Sequence, residues 1–237
     1  MQAFHNDPAI KERYVARMKQ HIAKDHLVRG IYWDGWRGCA IGCTVETSQN
    51  VHEKIESELN IPRQLTYLED YLFENISSDH YSNFALEFLE AIPTGADLAL
   101  VIPRFLTWLL VDPEKGVNRF ADERGKHVCE IVAGLYRRIV EGETIIYDEW
   151  RDARADADAD ARAADADARA DASRASRAAA AAAAAAAYAD ASRASRAAAY
   201  ADATAAYADA DADAAYAAYA DATTNQAEKL LELLREA

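Results

Sequence analysis

The sequence predicts an all-α protein: a small multi-helix head domain followed by a long alanine-rich helical C-terminal extension. Three observations carry that reading. Bulky apolar residues recur at three- and four-residue spacing between Tyr14 and Ile139, the period of helices that each bury one face. Proline and glycine fall at the edges of those periodic stretches, where helices start and stop. No proline follows Pro113, no glycine follows Gly142, and alanine dominates what remains.

The first helix is read from "NDPAIKERYVARMKQHIAKDHLVRG": Asp7 caps it, Pro8 takes its first position and Gly30 ends it. Tyr14, Val15, Met18 and Ile22 are its apolar stripe. In "IYWDGWRG" the Asp34-Gly35 pair between aromatics predicts a hairpin turn with strands only a few residues long. Gly38, Ala40 and Gly42 then surround Cys39 and Cys43 in a tight corner of small residues that lets backbones approach closely. Three helices follow: "VHEKIESELN", "PRQLTYLEDYLFENI" opening at Pro62, and "NFALEFLEAI" ending at Pro93. "TGADLALVIPRFLTWLLVDP" is the most apolar segment, expected to kink or split at Pro103, with Pro113 beyond its end. "HVCEIVAGLYRRIVEG" keeps Val128, Ile131, Val132, Leu135, Tyr136 and Ile139 on one helical face. The expected organisation is a globular head over residues 1–147, an alanine-rich long helix or helical hairpin over 148–222, and a short amphipathic helix over 223–237.

Alternation of alanine with charge in "RADADADARAA" superficially resembles a strand. Alanine is the best helix former and aspartate is depleted in strands, so a helix is expected. An eleven-residue repeat joins 154–164 to 165–175, about 3.67 residues per turn, and sets out two alanine stripes nearly opposite each other. Such a helix wants neighbours on both sides. A nineteen-residue repeat (170–188, 189–207, 208–226) shares no face between copies, so it reads as tandem duplication, with Tyr188, Tyr200, Tyr207, Tyr216 and Tyr219 scattered around the axis. As one rod the segment would be ~110 Å long, so it is expected to fold back, pack on the head or self-associate. Asn225 with Glu228 makes a capping pair that would open the last helix, and Leu230, Leu231, Leu233 and Leu234 give that helix something to bury.

The formal net charge is −14, with 16 Lys+Arg against 24 Asp+Glu in residues 1–150 and 10 against 16 in residues 151–237. That balance repels phosphate backbones, so nucleic acid is not the expected partner, whereas a basic protein surface is. The longest apolar run, Ala96 to Val111, is interrupted by Asp97, Pro103 and Arg104 and is too short to span a bilayer, so no membrane partner is expected. Three cysteines without framework spacing and no leading charged-plus-apolar signal fit free thiols and a cytoplasmic location.

Four residues are candidates for function: Cys39, Cys43, Trp33 and Trp36. Cys39 and Cys43 stand four apart, and a zinc site there would need partners such as His26, His52, His127 or Cys129, none at a recognised spacing. A radical iron–sulfur motif would need a third cysteine where Glu46 stands. Nucleophilic catalysis would need a base such as His26 or His52 beside a thiol of lowered pKa. The simpler reading is two small buried thiols filling a corner, so no metal and no cofactor are expected. His21 and Asp25, four apart, read as a solvated helix face, and Trp33 and Trp36 flank the turn as core anchors or as a surface for a partner. No phosphate-cradling glycine loop, serine elbow or HExxH motif is present.

The order "YW…GCAIGCT", "IPRQLTYLEDYLFE", "FLEAIPTGADL", "RFLTWLLVDPEKGV", "LYRRIVEGE" and "DEWRDA", running into an alanine-rich tail, resembles a family of phage, prophage and bacterial proteins with a GCAxGCT-like motif. The resemblance spans nearly the whole chain. It implies a phage-linked accessory role in the host cytoplasm, with a host protein or complex as partner, and brings no enzymatic activity with it. Members often carry histidine where this chain has Glu46, which counts against transferring a Cys/His site. Three functions are therefore expected to compete. One is a non-enzymatic binder, such as an inhibitor of a host antiviral system. The others are a cysteine-centred enzyme or metal/small-ligand binder at Cys39/Cys43, and a structural homo-oligomer through the alanine-rich helix.

Overall fold

Asp7 accepts a hydrogen bond from the Ala9 N–H at 2.9 Å and Pro8 takes the first position of helix α1 (Pro8–Ala23), so the expected start is the observed one. In the computed structural model the described residues are 1–77, 80–166, 171–187, 190–209 and 212–237, without the side chains of 160–174, 176–177 and 207–213. These residues form α-helices and short 3-10 turns with no strand, an all-α protein. After α1 come α2 (Ala40–Val45), α3 (Val51–Leu59), α4 (Arg63–Asn75), α5 (Tyr81–Ala91), α6 (Val101–Val111), α7 (Glu123–Val140), α8 (Tyr147–Ala166), α9 (Asp171–Ala187), α10 (Ala191–Asp209) and α11 (Ala212–Arg235).

Helix α1 ends at Ala23, seven residues before Gly30. Asp25 takes the left-handed φ of +55°, and the chain then turns to pair with Gly38. The Gly38 N–H donates to the His26 carbonyl at 3.0 Å and the Val28 N–H donates to the Gly38 carbonyl at 2.9 Å. Leu27 and Gly38 thus make one isolated parallel bridge, and the expected hairpin is absent. Its Asp34-Gly35 turn is real: the Asp34 N–H donates to the Arg37 carbonyl at 3.0 Å and the Asp34 carboxylate accepts from the Trp36 and Arg37 N–H groups at 3.2 and 3.1 Å, but no strand ladder extends from it.

Helix α6 follows a 3-10 turn at Leu98–Leu100, so the expected split falls before Val101 and not at Pro103. Pro103 is the third residue of α6, within the first turn, where a missing N–H forfeits no helical bond. Helix α7 starts four residues earlier than its apolar pattern suggested, because Asp122 accepts from the Gly125 N–H at 2.8 Å and caps it. Asn225 does not open a helix: α11 runs through it, and the Thr223 and Thr224 hydroxyls bond back to the Tyr219 and Ala220 carbonyls at 2.8 Å.

Two compact units divide the chain, with boundaries at 102/103 and 226/227 and none at residue 147. The first comprises Met1–Ile102 and Ala227–Ala237. Within it α1 packs on α2 and α5, α2 on α3, α4 and α5, α3 on α4, and α4 on α5. Its core is aromatic and branched: Phe4, Tyr14, Met18, Leu59, Leu65, Leu68, Leu72 and Phe73 are buried, and Leu230, Leu231, Leu233 and Leu234 at the end of α11 are buried as well. Of the stripe expected on α1, Tyr14 and Met18 are buried while Val15 and Ile22 are half-buried, and His21 completes the inner face.

The second unit, Pro103–Gln226, joins α7 to the alanine-rich helices because alanine alone offers too little surface to make a core. Helix α7 packs on α8 and α9, α8 on α9, and α9 on α10. Ala179, Ala180, Ala182, Ala183, Ala186 and Ala187 are buried around α9, and Ala191, Ala194, Ala198, Ala199 and Ala201 along α10. Methyl side chains let helix axes approach to about 8 Å. The tail is therefore folded back on itself instead of forming one rod. Tyr136 of α7 donates its hydroxyl to the Ala186 carbonyl, and Arg119 pairs with Asp202. Tyr200 and Tyr216 are exposed and Tyr219 is half-buried; Tyr188, the Tyr207 side chain and most side chains of the eleven-residue repeat lie outside the described residues.

Candidate functional site

The corner at residues 32–43 is held by two glycines. A Cβ on Gly38 would meet the Tyr32 carbonyl oxygen at 1.9 Å, and one on Gly42 would meet it at 1.5 Å. Only hydrogen fits there, so "GCAIGC" packs α2 directly on the backbone of the preceding loop. The Cys39 N–H donates to the Ile31 carbonyl at 2.7 Å and locks the approach.

That packing sends the two cysteines into different surroundings. Cys43 is buried, and its thiol donates to the Gly38 carbonyl at 3.3 Å and weakly to the His26 carbonyl at 3.9 Å. Burial pushes it up to about 12. Cys39, at the N-terminal edge of α2, points its sulfur at Asp70 Oδ1, 3.7 Å away. Burial, and then the charge of Asp70, pushes its thiol up further. No histidine nitrogen pairs with either sulfur among the described residues, and both thiols hold their protons at neutral pH, the opposite of an activated nucleophile. Cys129 and His127 belong to the other compact unit.

Around Cys39 the structure gathers groups that the sequence did not single out. Helix α4 interrupts its apolar run with Glu69, Asp70 and Glu74, the last two on one face at four-residue spacing. Asp70 is pushed up to about 6 by burial and by the nearby Glu74 charge. Its Oδ2 accepts from the Tyr32 hydroxyl at 3.4 Å. Glu74 accepts from the Gly30 N–H with both oxygens, at 3.0 and 2.9 Å. Glu69 is fully buried, and desolvation together with Asp70 and Glu74 holds its carboxyl well above the usual range. Among the described residues no lysine or arginine pairs with any of the three. The Cys39 sulfur and one carboxylate oxygen each of Asp70 and Glu74 all lie within 4.8 Å of one another.

His52, in the first turn of α3, faces the same cluster. Its ring packs against a tilted Tyr67 at 3.9 Å and meets Tyr32 edge-on at 6.1 Å between centroids, and its Nδ1 meets Thr66 Oγ1 at 2.9 Å. Its Nε2 is buried, lacks a hydrogen-bond partner and lies 4.0 Å from Asp70 Oδ2. Burial lowers it to about 4, so the ring is neutral near pH 7.

The tryptophans belong to a neighbouring group. Trp33 is half-buried edge-on to His21 at 5.4 Å, whereas Trp36 is 54% exposed, edge-on to His26 at 5.2 Å, with the Arg37 guanidinium over its ring. His21 does not pair with Asp25, which lies past the end of α1. Its Nε2 reaches Glu46 at 3.3 Å, and Arg17 joins Glu46 at 3.7 Å. Glu46, at left-handed φ +50° after α2, therefore ties the end of α2 to α1.

Among the described residues no helix is long and apolar enough to cross a membrane. Comparison with known protein families, curated proteins and solved structures finds no match for the chain.

Proposed function

We propose that the chain is a non-enzymatic accessory protein that binds a host protein carrying a basic surface. One observation carries the reading: Tyr32 and Trp36 are exposed on one closed loop, and Tyr67, which shares the His52 ring with Tyr32, is exposed on α4, in a unit that holds 11 Lys+Arg against 18 Asp+Glu. Tyrosine and tryptophan are the residues that anchor protein interfaces, and the surrounding acid selects a cationic partner. The resemblance to phage and prophage proteins gives the proposal its specific form, an inhibitor of a host antiviral system seated in a groove that otherwise receives nucleic acid. A cysteine-centred enzyme is less well supported, because both thiols are buried, protonated and without a base. A homo-oligomer built on alanine faces is also less well supported, since those faces of α9 and α10 are covered within their own unit.

The test is capture from host lysate by the immobilised full-length chain. A saturable protein partner, weakened by salt and lost from the Trp36→Ala/Tyr67→Ala double variant, is expected; no saturable partner would overturn the reading. In parallel, Cys39 and Cys43 should react with a thiol reagent only after denaturation. Rapid native modification would return the enzyme reading to first place.

A further inference from the structure

We propose that Cys39 Sγ, His52 Nε2 and the carboxylates of Asp70 and Glu74 form a binding site for one divalent cation of the zinc class. It would tie the start of α2 and the first turn of α3 to α4. The donor set is the one zinc takes: a thiolate, an imidazole nitrogen and carboxylate oxygens. The carboxylate and sulfur atoms already lie within 4.8 Å of one another, with Cys39 Sγ 3.7 Å and His52 Nε2 4.0 Å from the two oxygens of Asp70. Between those two pairs a contraction of under an ångström reaches the separations of ligands around one ion at ~2.0–2.3 Å, and His52, which stands beside Asp70 but outside the 4.8 Å group, closes the remaining gap by turning in on the ion.

His52 distinguishes this cluster from an ordinary group of acids. The Thr66 hydroxyl gives its one proton to the Arg63 carbonyl at 2.9 Å. Thr66 Oγ1 therefore accepts from His52 Nδ1–H, which fixes the neutral tautomer with its lone pair on Nε2. That lone pair is buried, aimed at Asp70 and without a donor, in a side chain only 8% exposed. A hydrogen bond from the far nitrogen that orients the ring is the arrangement found behind metal-bound histidines. Glu74 retains lone pairs for a cation while it accepts from Gly30 N–H. A cation also accounts for three carboxyl groups gathered with no lysine or arginine paired to them among the described residues. On binding, the Cys39 S–H bond breaks, its electron pair goes to the metal and its proton passes to solvent. The ligands come from residues 39, 52, 70 and 74, which is why no sequence spacing announced them.

The test uses the full-length chain, stripped with a chelator and then titrated with zinc or cobalt(II) ions. One ion per chain is expected, and cobalt should show a thiolate-to-metal charge-transfer band. Cys39→Ser should abolish that band, whereas Cys43→Ser and Cys129→Ser should keep it. Thr66→Val leaves every ligand in place but removes the acceptor of His52 Nδ1–H, and should weaken zinc binding about 10- to 100-fold. His52→Gln should weaken it at least as much. If Cys39→Ser does not fold by circular dichroism, the Thr66 and His52 variants decide. Failure to retain a stoichiometric ion, a cobalt band that survives Cys39→Ser, or wild-type affinity in both Thr66→Val and His52→Gln would overturn the proposal.

Discussion

Replacing Gly42 by alanine tests the corner that holds the site. The new Cβ would lie 1.5 Å from the Tyr32 carbonyl oxygen and 2.4 Å from its carbon, where a carbon–oxygen contact needs about 3.3 Å. Something must therefore move by ~1.8 Å, and the obstacle is backbone on both sides, with no flexible side-chain tip to swing away. Shifting the loop breaks the 2.7 Å bond from Cys39 N–H to the Ile31 carbonyl and draws Tyr32 off His52 and Asp70. Overpacking at its upper range costs ~3 kcal/mol and the lost buried hydrogen bond ~1. Alanine's better helix propensity gives back up to ~1, so a net loss of about 3 kcal/mol is expected. Urea unfolding followed by circular dichroism measures it. A loss below about 1 kcal/mol, or a gain, would refute the close approach of α2 to Tyr32.

Two further outcomes follow from the same physical arguments. Ala183→Leu adds three carbons to a fully buried position of α9 and should cost ~1–3 kcal/mol in thermal unfolding, whereas Tyr216→Ala at an exposed position should stay within ~0.5. Wild-type stability in Ala183→Leu would mean that α9 is not closely covered. In chelator-treated protein the depressed His52 and His21 give stability that is present above the unfolded-state pKa of 6.5 and is lost as pH falls, for His52 through about 4. At these two rings the unfolded chain binds more protons in that window, while the raised Asp70, Glu69 and Asp202 carboxyls act in the opposite sense, so the variant comparison isolates the ring: the urea midpoint of wild type minus that of His21→Gln should shrink as pH falls from 6.5 to 4. A difference that stays constant with pH would show that the His21 ring is not held neutral.

Much of the fold was legible because helical periodicity and end signals are local. Asp7-Pro8 set the start of α1, and Pro62 and Pro93 bracketed helices correctly, since each acts through its own φ or its own missing N–H. The misreadings came where a distant group outbid a local signal. Gly30 was free to stop α1, but pairing with Gly38 stopped it earlier. Asn225 was free to cap, but its neighbours were satisfied inside a continuous helix. Of the candidate residues, Cys39 and Cys43 are both buried, as the simpler reading expected, while Trp36 is exposed where a core anchor was one of the two readings. Trp33 is half-buried, and only Cys39 of the two thiols faces the carboxylates of α4. Asp70 and Glu74 carried only a faint signal, two acids four apart within the apolar run "LEDYLFE".

The sequence alone determined the all-α class, the small-residue corner at Gly38 and Gly42, the net acidity and the demand of the alanine helices for neighbours. Each follows from backbone propensity, side-chain volume or charge count, and none needs a partner far along the chain. Only the tertiary structure decided which helices the alanines meet, where the compact units divide, and that Cys39, Asp70 and Glu74 share one place with His52 beside Asp70. Those depend on contacts between residues tens of positions apart, whose closure is settled by the packing of the whole core and not by any spacing along the chain.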